Sequence, residues 1–325
     1  MKATAPPGPV RAGTAKVPSS GTTPPGSRRG RLNRVLRGQS ATAWLMLTPA
    51  VVLLIWWFAA PIVQSVILSF QTISKFNFSD RSFIGMDNYA ELFADPAFLK
   101  SLGITGMFVL GVVPAQTVLA LLVAATLQGV TRGKSALRTA YFVPYMTSTV
   151  AITTIFMQLF VKGGPATEAL TLLGFPDATW YADSGLALGF LVIVYVYMFV
   201  GLYIVIFVGG IETIPPDLYE AAEMDGAGGA RRFWHITLPG VRPFAVFVVV
   251  AGVIQAVQVF DQAYVIAGGT VLGSPAGATS TIVIFIYQQA FRLNALGYAS
   301  AATVVLLVIV LLAGLISRRL GPKEA

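Results

Sequence analysis

Five carboxylates, Glu212, Asp217, Glu220, Glu223 and Asp225, fall in one short polar stretch of a chain with 14 acidic residues in 325. The same stretch holds the single histidine, His235, and the arginine pair Arg231 and Arg232. The chemistry open to it is narrow. Without cysteine there are no disulfides, thiolate metal sites or cysteine nucleophiles. One histidine cannot build a multi-histidine metal site, and His235 reads as a surface residue rather than a pH switch. Gly133-Lys134-Ser135 has the closing letters of a phosphate loop. The pattern G-x4-G-K-S/T needs glycine at 128, however, where Gln128 stands, and an apolar helix precedes it instead of a strand. Lys134 is therefore a loop charge, and the chain has no nucleotide site and no cofactor of its own. What remains for the polar stretch is recognition: a water-exposed segment between long apolar runs reads as a docking surface.

Those apolar runs must position it. The chain is 55% hydrophobic and 11% charged, with mean hydropathy +0.74, whereas a soluble domain carries about 25% charged residues. A membrane-spanning helix needs about 20 mostly apolar residues. Six runs meet that: 43–70 with Pro49 and Pro61, 104–127 with Pro114, 139–161, 185–208, 243–266 and 296–316. The run 281–291 is too short to span and reads as an interfacial or re-entrant helix, with Arg292 at its exit. Residues 72–101 are expected to form a short amphipathic helix along the membrane surface. No internal repeat is visible.

The net charge of +8 does not point to nucleic acid, because of where the charge sits. Eight basic residues and no acid lie in the first 40, among Pro, Gly, Ser and Thr. Residues 1–40 are thus expected to be a disordered basic cytoplasmic tail beside anionic lipid, and the apolar run after it is too long for a signal peptide. Residues 41–320 make the six-span membrane domain, and 321–325 a cytoplasmic C-terminal tail. With the N-terminus inside, 17 basic residues fall on the cytoplasmic side. Five fall outside: Lys75, Arg81, Lys100, Lys162 and Arg292. This positive-inside bias makes both termini and the polar stretch cytoplasmic.

Within the polar stretch, Pro216 suits a first helical turn, where its missing N–H has no partner to lose. Asp217 and Glu220 then lie near the positive end of the helix dipole. Gly226 is placed to close the helix in a left-handed conformation. A second helix is expected over 229–237, stopped by Pro239. Ala221 and Ala222 let a partner approach the backbone, Glu220 offers a carboxylate, and Phe233 and Trp234 are candidate interface anchors. The alternative is an amphipathic loop resting on lipid headgroups.

The spacing Glu220-Ala221-Ala222, three residues, Gly226, nine residues, Ile236, one residue, Leu238-Pro239 resembles the EAA loop of binding-protein-dependent ABC importer permeases, with each fixed position matched. Leu137-Arg138-Thr139-Ala140-Tyr141-Phe142-Val143-Pro144 is similar to the approach to the third span in carbohydrate-type permeases. Phe260-Asp261, Tyr264-Val265-Ile266 and Gly268-Gly269 resemble the end of their fifth span, one residue shorter than usual. Residues 281–291 and Gly297-Tyr298-Ala299-Ser300-Ala301 resemble the approach to the last. Gly85-Met86-Asp87-Asn88-Tyr89 is similar to the first permease of maltose and glycerol-phosphate systems, although the extra spans and large outer domain of the maltose member are missing.

The resemblance implies an all-α integral membrane protein of the type I ABC importer permease fold, with six transmembrane helices and a cytoplasmic coupling helix in the loop 210–242. It implies that Glu220, Ala221, Ala222, Gly226, Phe233, Ile236, Leu238 and Pro239 meet an ATPase. It further implies a second homologous permease, two ATPase subunits holding ATP and Mg, an extracytoplasmic solute-binding protein and a place in the bacterial cytoplasmic membrane. The chain itself would be a transport subunit, not an enzyme.

Polar side chains inside hydrocarbon are costly and mark candidate solute paths. Asp261 is the one acid at the edge of a span, with Gln255 and Gln258 expected on its face. Gln158, Tyr195, Tyr197 and Tyr203 are further candidates, read as hydroxyl-bonding or ring-stacking contacts for a sugar. The function expected is ATP-driven import of a sugar, oligosaccharide or glycerol phosphate. The alternatives are a stand-alone secondary transporter or channel, and an ABC permease for a non-sugar solute.

Overall fold

The computed structural model describes residues 44–73, 81–129, 133–268 and 271–320, with side chains as far as 316. The expected tails 1–40 and 321–325, and also Lys75, Arg132 and Gly269, lie outside the described residues. The chain divides into two units, residues 1–61 and 62–325. In the first, the described residues belong to helix α1 (Trp44–Leu68), apolar enough to span and with none of its spanning window buried. A π-turn at Ile55–Ala59 ends two residues before Pro61. The wider turn moves aside the carbonyl that the proline ring would strike.

In the second unit, the end of α1 is followed by a short antiparallel pair, β1 (Gln71–Ile73) against β2 (Arg81–Phe83), with Thr72 opposite Ser82. Helix α2 (Asp87–Ala94) follows. It is helical as expected, yet it does not lie free along a surface. Asn88 and Leu92 are buried, and Asn88 Nδ2 donates to the carbonyls of Ser69 at 2.8 Å and Gln71 at 3.0 Å. Helix α3 (Pro96–Gln128) starts eight residues before its apolar run. Proline at its first turn and the Asp95 carboxylate, accepting from Ala97 N at 2.8 Å, fix that start. At 33 residues and about 1.5 Å per residue, α3 outreaches a hydrocarbon layer of about 30 Å.

The third expected span is broken. Helices α4 (Lys134–Met146) and α5 (Thr149–Leu159) meet at 94°. Pro144 lies one turn before the break. Thr147 is extended, with φ −89° and ψ 154°, and its hydroxyl donates to the Val143 carbonyl at 2.8 Å. The Thr147 hydroxyl thus takes a helix carbonyl for itself, and the helix ends there. Five helices thus meet the length and hydropathy of a span among the described residues, and the bent pair, counted as one span, makes a sixth.

After α6 (Pro165–Thr171) and a 3-10 turn at Trp180–Ala182 comes α7 (Ala187–Glu212). Over half of its spanning window is buried, 56%, as expected of a helix apolar all round. It packs on α3 and on α4. The fifth span is also interrupted. Helix α10 (Arg242–Val257) ends at Gln258, and α11 (Asp261–Ile266) begins three residues later. The Val259 carbonyl, freed by the break, accepts from Thr281 Oγ1 at 3.1 Å. The short apolar run is α12 (Ile282–Tyr287) with a π-turn to Arg292. It is packed within the protein: Ile282, Ile284 and Phe285 are buried, and α12 packs on α3 and on the last helix, α13 (Leu296–Leu320).

Candidate functional site: the polar loop and the polar spans

Helix α8 (Pro216–Met224) forms where expected, with proline in its first turn. Gly226 has φ +73°, a conformation that costs other residues about 1–2 kcal/mol. Ala227 N donates back to Ala222 O at 2.8 Å and Gly226 N to Glu223 O at 3.0 Å, which closes the helix C-terminus. The second helix differs from expectation. It runs from α9 (Gly229–Arg232) through a π-turn, Phe233–Thr237, into Leu238–Gly240, so Pro239 does not stop it. Leu238 N bonds Phe233 O, five residues back. The π-turn therefore absorbs Pro239 as the one in α1 absorbs Pro61.

The loop has two faces. Phe233, Ile236 and Leu238 turn inward, against a cluster that includes Phe207, Ile211, Ile214 and Val241. Tyr219 Oη and Thr237 Oγ1 bond at 3.0 Å, and Arg232 pairs with Glu223. These contacts fasten α8 and α9 to the ends of α3, α7 and α10. Glu220, Ala221, Gly226 and Pro239 are exposed, Ala222 is half-buried, and Trp234 is 63% exposed beside Phe233. Of the two aromatic anchors expected, Phe233 is half-buried and packs against the loop's own spans, and Trp234 is exposed. At the loop's root, Glu212 pairs with Lys134, at 3.0 Å, and with Arg138.

Among the spans, Tyr203 is fully buried and its hydroxyl donates to Gln255 Oε1 at 3.0 Å. Fully buried Gln116 is a second polar neighbour of that hydroxyl and lies against Gly252. Gln116 on α3, Tyr203 on α7 and Gln255 on α10 make one polar node between helices. Tyr195 is buried between Phe108 and Phe199. Tyr197 is 46% exposed and packs on Phe156 of α5. Gln158, Gln258 and Asp261 are exposed. Because the helix breaks at Gln258, Gln255, Gln258 and Asp261 do not share one helical face; that expectation assumed a continuous span. The elements that carry these groups still adjoin, with α5 on α11 and both on α7.

Sequence reasoning missed two features. One is the elbow, where Tyr145, Thr147 and Ser148 are exposed at the broken span. Its signal was the Pro-Tyr-Met-Thr-Ser-Thr run inside an otherwise apolar helix. The other is Gln116, an amide in the middle of an apolar run and visible on the same ground.

Residues 116–325 match the family described as the binding-protein-dependent transport system inner membrane component. The arabinooligosaccharides transport system permease protein AraP of Bacillus subtilis (strain 168) is 29% identical over 96% of this chain and 97% of its own length. The probable ABC transporter permease protein YurN of the same organism is 32% identical over 82% of this chain and 91% of its own. The fold matches the crystal structure of a bacterial ABC transporter involved in the import of the acidic polysaccharide alginate, with TM-score 0.70 at 21% identity, covering 89% of this chain and 99% of that one. The loop, the spans and these likenesses agree: this chain belongs to the binding-protein-dependent transport system inner membrane components, as a permease subunit of ABC importer type.

Proposed function

We propose that this chain forms one wall of a sugar or oligosaccharide importer and carries ATPase movement into that wall. Its loop faces the cytoplasm with both termini, and the exposed Glu220–Ala221 face of α8 seats in a cleft of an ATPase subunit. A second, homologous permease completes the pore, two ATPase subunits holding ATP and Mg lie beneath, and an extracytoplasmic binding protein delivers solute. Closure of the ATPase pair draws the coupling helices together and rocks the helix bundles between inward and outward access. The observation that carries this reading is the two-faced loop. A segment fastened inward by Phe233, Ile236 and Leu238, with a bare carboxylate-bearing face outward, transmits force rather than merely resting on lipid.

The path along this wall is formed by Gln158, Tyr197, Gln258 and Asp261 with the elbow residues Tyr145, Thr147 and Ser148. Gln255, Tyr195 and Tyr203 hold it in shape from behind. Support for a saccharide comes from the chemistry of that set. Amides, hydroxyls and aromatic faces suit sugar rings, and the five spans after the first contain no Lys or Arg between 104–127, 139–161, 185–212, 243–266 or 296–316 to neutralise a phosphate. The test is uptake of labelled arabino-oligosaccharide, maltose and sn-glycerol 3-phosphate by the reconstituted complex with its binding protein. Saturable uptake of a neutral saccharide is expected. Uptake of the phosphate ester alone would overturn the substrate reading.

A further inference from the structure

The carboxylate of Glu212 closes α7, and the two cations beside it open α4. Each is, by itself, on the wrong end of its helix. An acid at a C-terminus opposes the dipole, and so does Lys134 at the first residue of α4, with Arg138 one turn further along. Helix α4 has no acidic residue in its first turn and no side-chain cap, since Gly133 stands there. The pairing of Glu212 with Lys134 at 3.0 Å and with Arg138 answers both mismatches at once. A small cavity of about 230 Å³ beside it is lined by Gln128, Pro216 and Tyr219 among others, so the clamp sits four residues before the first residue of α8.

A second contact fixes α4 further along. A Cβ at Gly201 would lie 1.8 Å from the Tyr141 carbonyl oxygen, so the backbones of α7 and α4 all but touch there. Beyond Tyr141 comes the elbow at Thr147. Helix α4 is thus attached to α7 at two places, by charge at Glu212 and by close backbone approach at Gly201.

We propose that Glu212 is a positioning residue for coupling: its clamp makes α4, the end of α7 and the coupling helix move as one body, delivering the loop's displacement to the elbow of the broken third span. The proposal rests on the coupling reading above and names the route inside this chain. Loss of the carboxylate leaves like charges facing each other at the α4 terminus, and coupling through α7 alone is looser.

The chain has no native cysteine, so spin labels are placed at Ala136→Cys on α4 and Met224→Cys on α8, both exposed, in the full importer complex. With Glu212 intact, the distance between them is narrowly distributed both without nucleotide and with ATP–vanadate. Glu212→Gln broadens it and lowers binding-protein-stimulated ATP hydrolysis about three- to fivefold, the size expected for two partly exposed pairs, while the ATPase still co-purifies. The swapped set Glu212→Arg, Lys134→Glu, Arg138→Glu restores both. Unchanged width and stimulation in Glu212→Gln, or a swapped set as impaired as Glu212→Gln, overturns the clamp alone. Absence of the ATPase from the wild-type preparation would overturn the coupling reading itself.

Discussion

Replacing Tyr203 by phenylalanine removes one oxygen and leaves the ring in place. That oxygen donates to Gln255 Oε1 at 3.0 Å from a fully buried side chain. Interhelical hydrogen bonds in membranes contribute about 0.6 kcal/mol on average and up to about 1.7. A fully buried acceptor left alone costs about 1–3 kcal/mol, an upper range for the half-buried Gln255. Gln255 is only half-buried, so water can reach its freed oxygen in part, which puts the expected loss at about 1 kcal/mol. The assay is reversible unfolding of the purified chain in mixed micelles, read as a double-mutant cycle with Gln255→Leu. The cycle should give a coupling of about 0.6–1.7 kcal/mol, and the KM for uptake should stay at its wild-type value, because the hydroxyl points at a helix and not at solute. Additive single variants, or a raised KM with stability unchanged, would refute the reasoning and return Tyr203 to the solute path.

Gly201→Ala should lower stability by about 1–3 kcal/mol or more, since its methyl group meets the Tyr141 carbonyl at 1.8 Å; thermal unfolding in detergent measures it, and an unchanged midpoint contradicts the close crossing of α4 and α7. Glu220→Lys and Gly226→Asp should insert normally yet abolish uptake and substrate-stimulated ATP hydrolysis. The first inverts the exposed charge and the second forces a side chain into φ +73°; normal uptake by both refutes the coupling role. Gln258→Ala should raise the KM for saccharide with basal ATP hydrolysis retained, and unchanged transport kinetics remove Gln258 from the path.

The long elements were legible because membrane length and turn chemistry are written locally. Apolar runs of span length became helices, Pro216 opened α8, and Gly226 took the left-handed turn asked of it. What was not legible depended on neighbours or on departures from the α-helix. Pro239 looked like a stop because an α-helix cannot carry it there, and the π-turn at Phe233–Thr237 removes the clash. Gln255, Gln258 and Asp261 seemed to share a face because periodicity assumes an unbroken helix. Residues 258–260 leave it, and the cost is offset from another element by Thr281. Phe233 reads as a partner anchor because an aromatic residue in a polar loop looks exposed; its packing against the cluster that contains Phe207 and Ile211 depends on distant helices. For residues 281–291, too short to span, length alone does not show the packing on α3 and α13.

The central claim, that this chain moves solute only when an ATPase works through the loop of residues 210–242, is tested most directly in proteoliposomes. The chain is purified alone and as the complex recovered through a tag on it, and uptake of a labelled saccharide is measured with ATP and binding protein, and separately with a proton or sodium gradient. The account predicts uptake by the complex, dependent on ATP, and none by the chain alone under either gradient. Gradient-driven uptake by the isolated chain would contradict it.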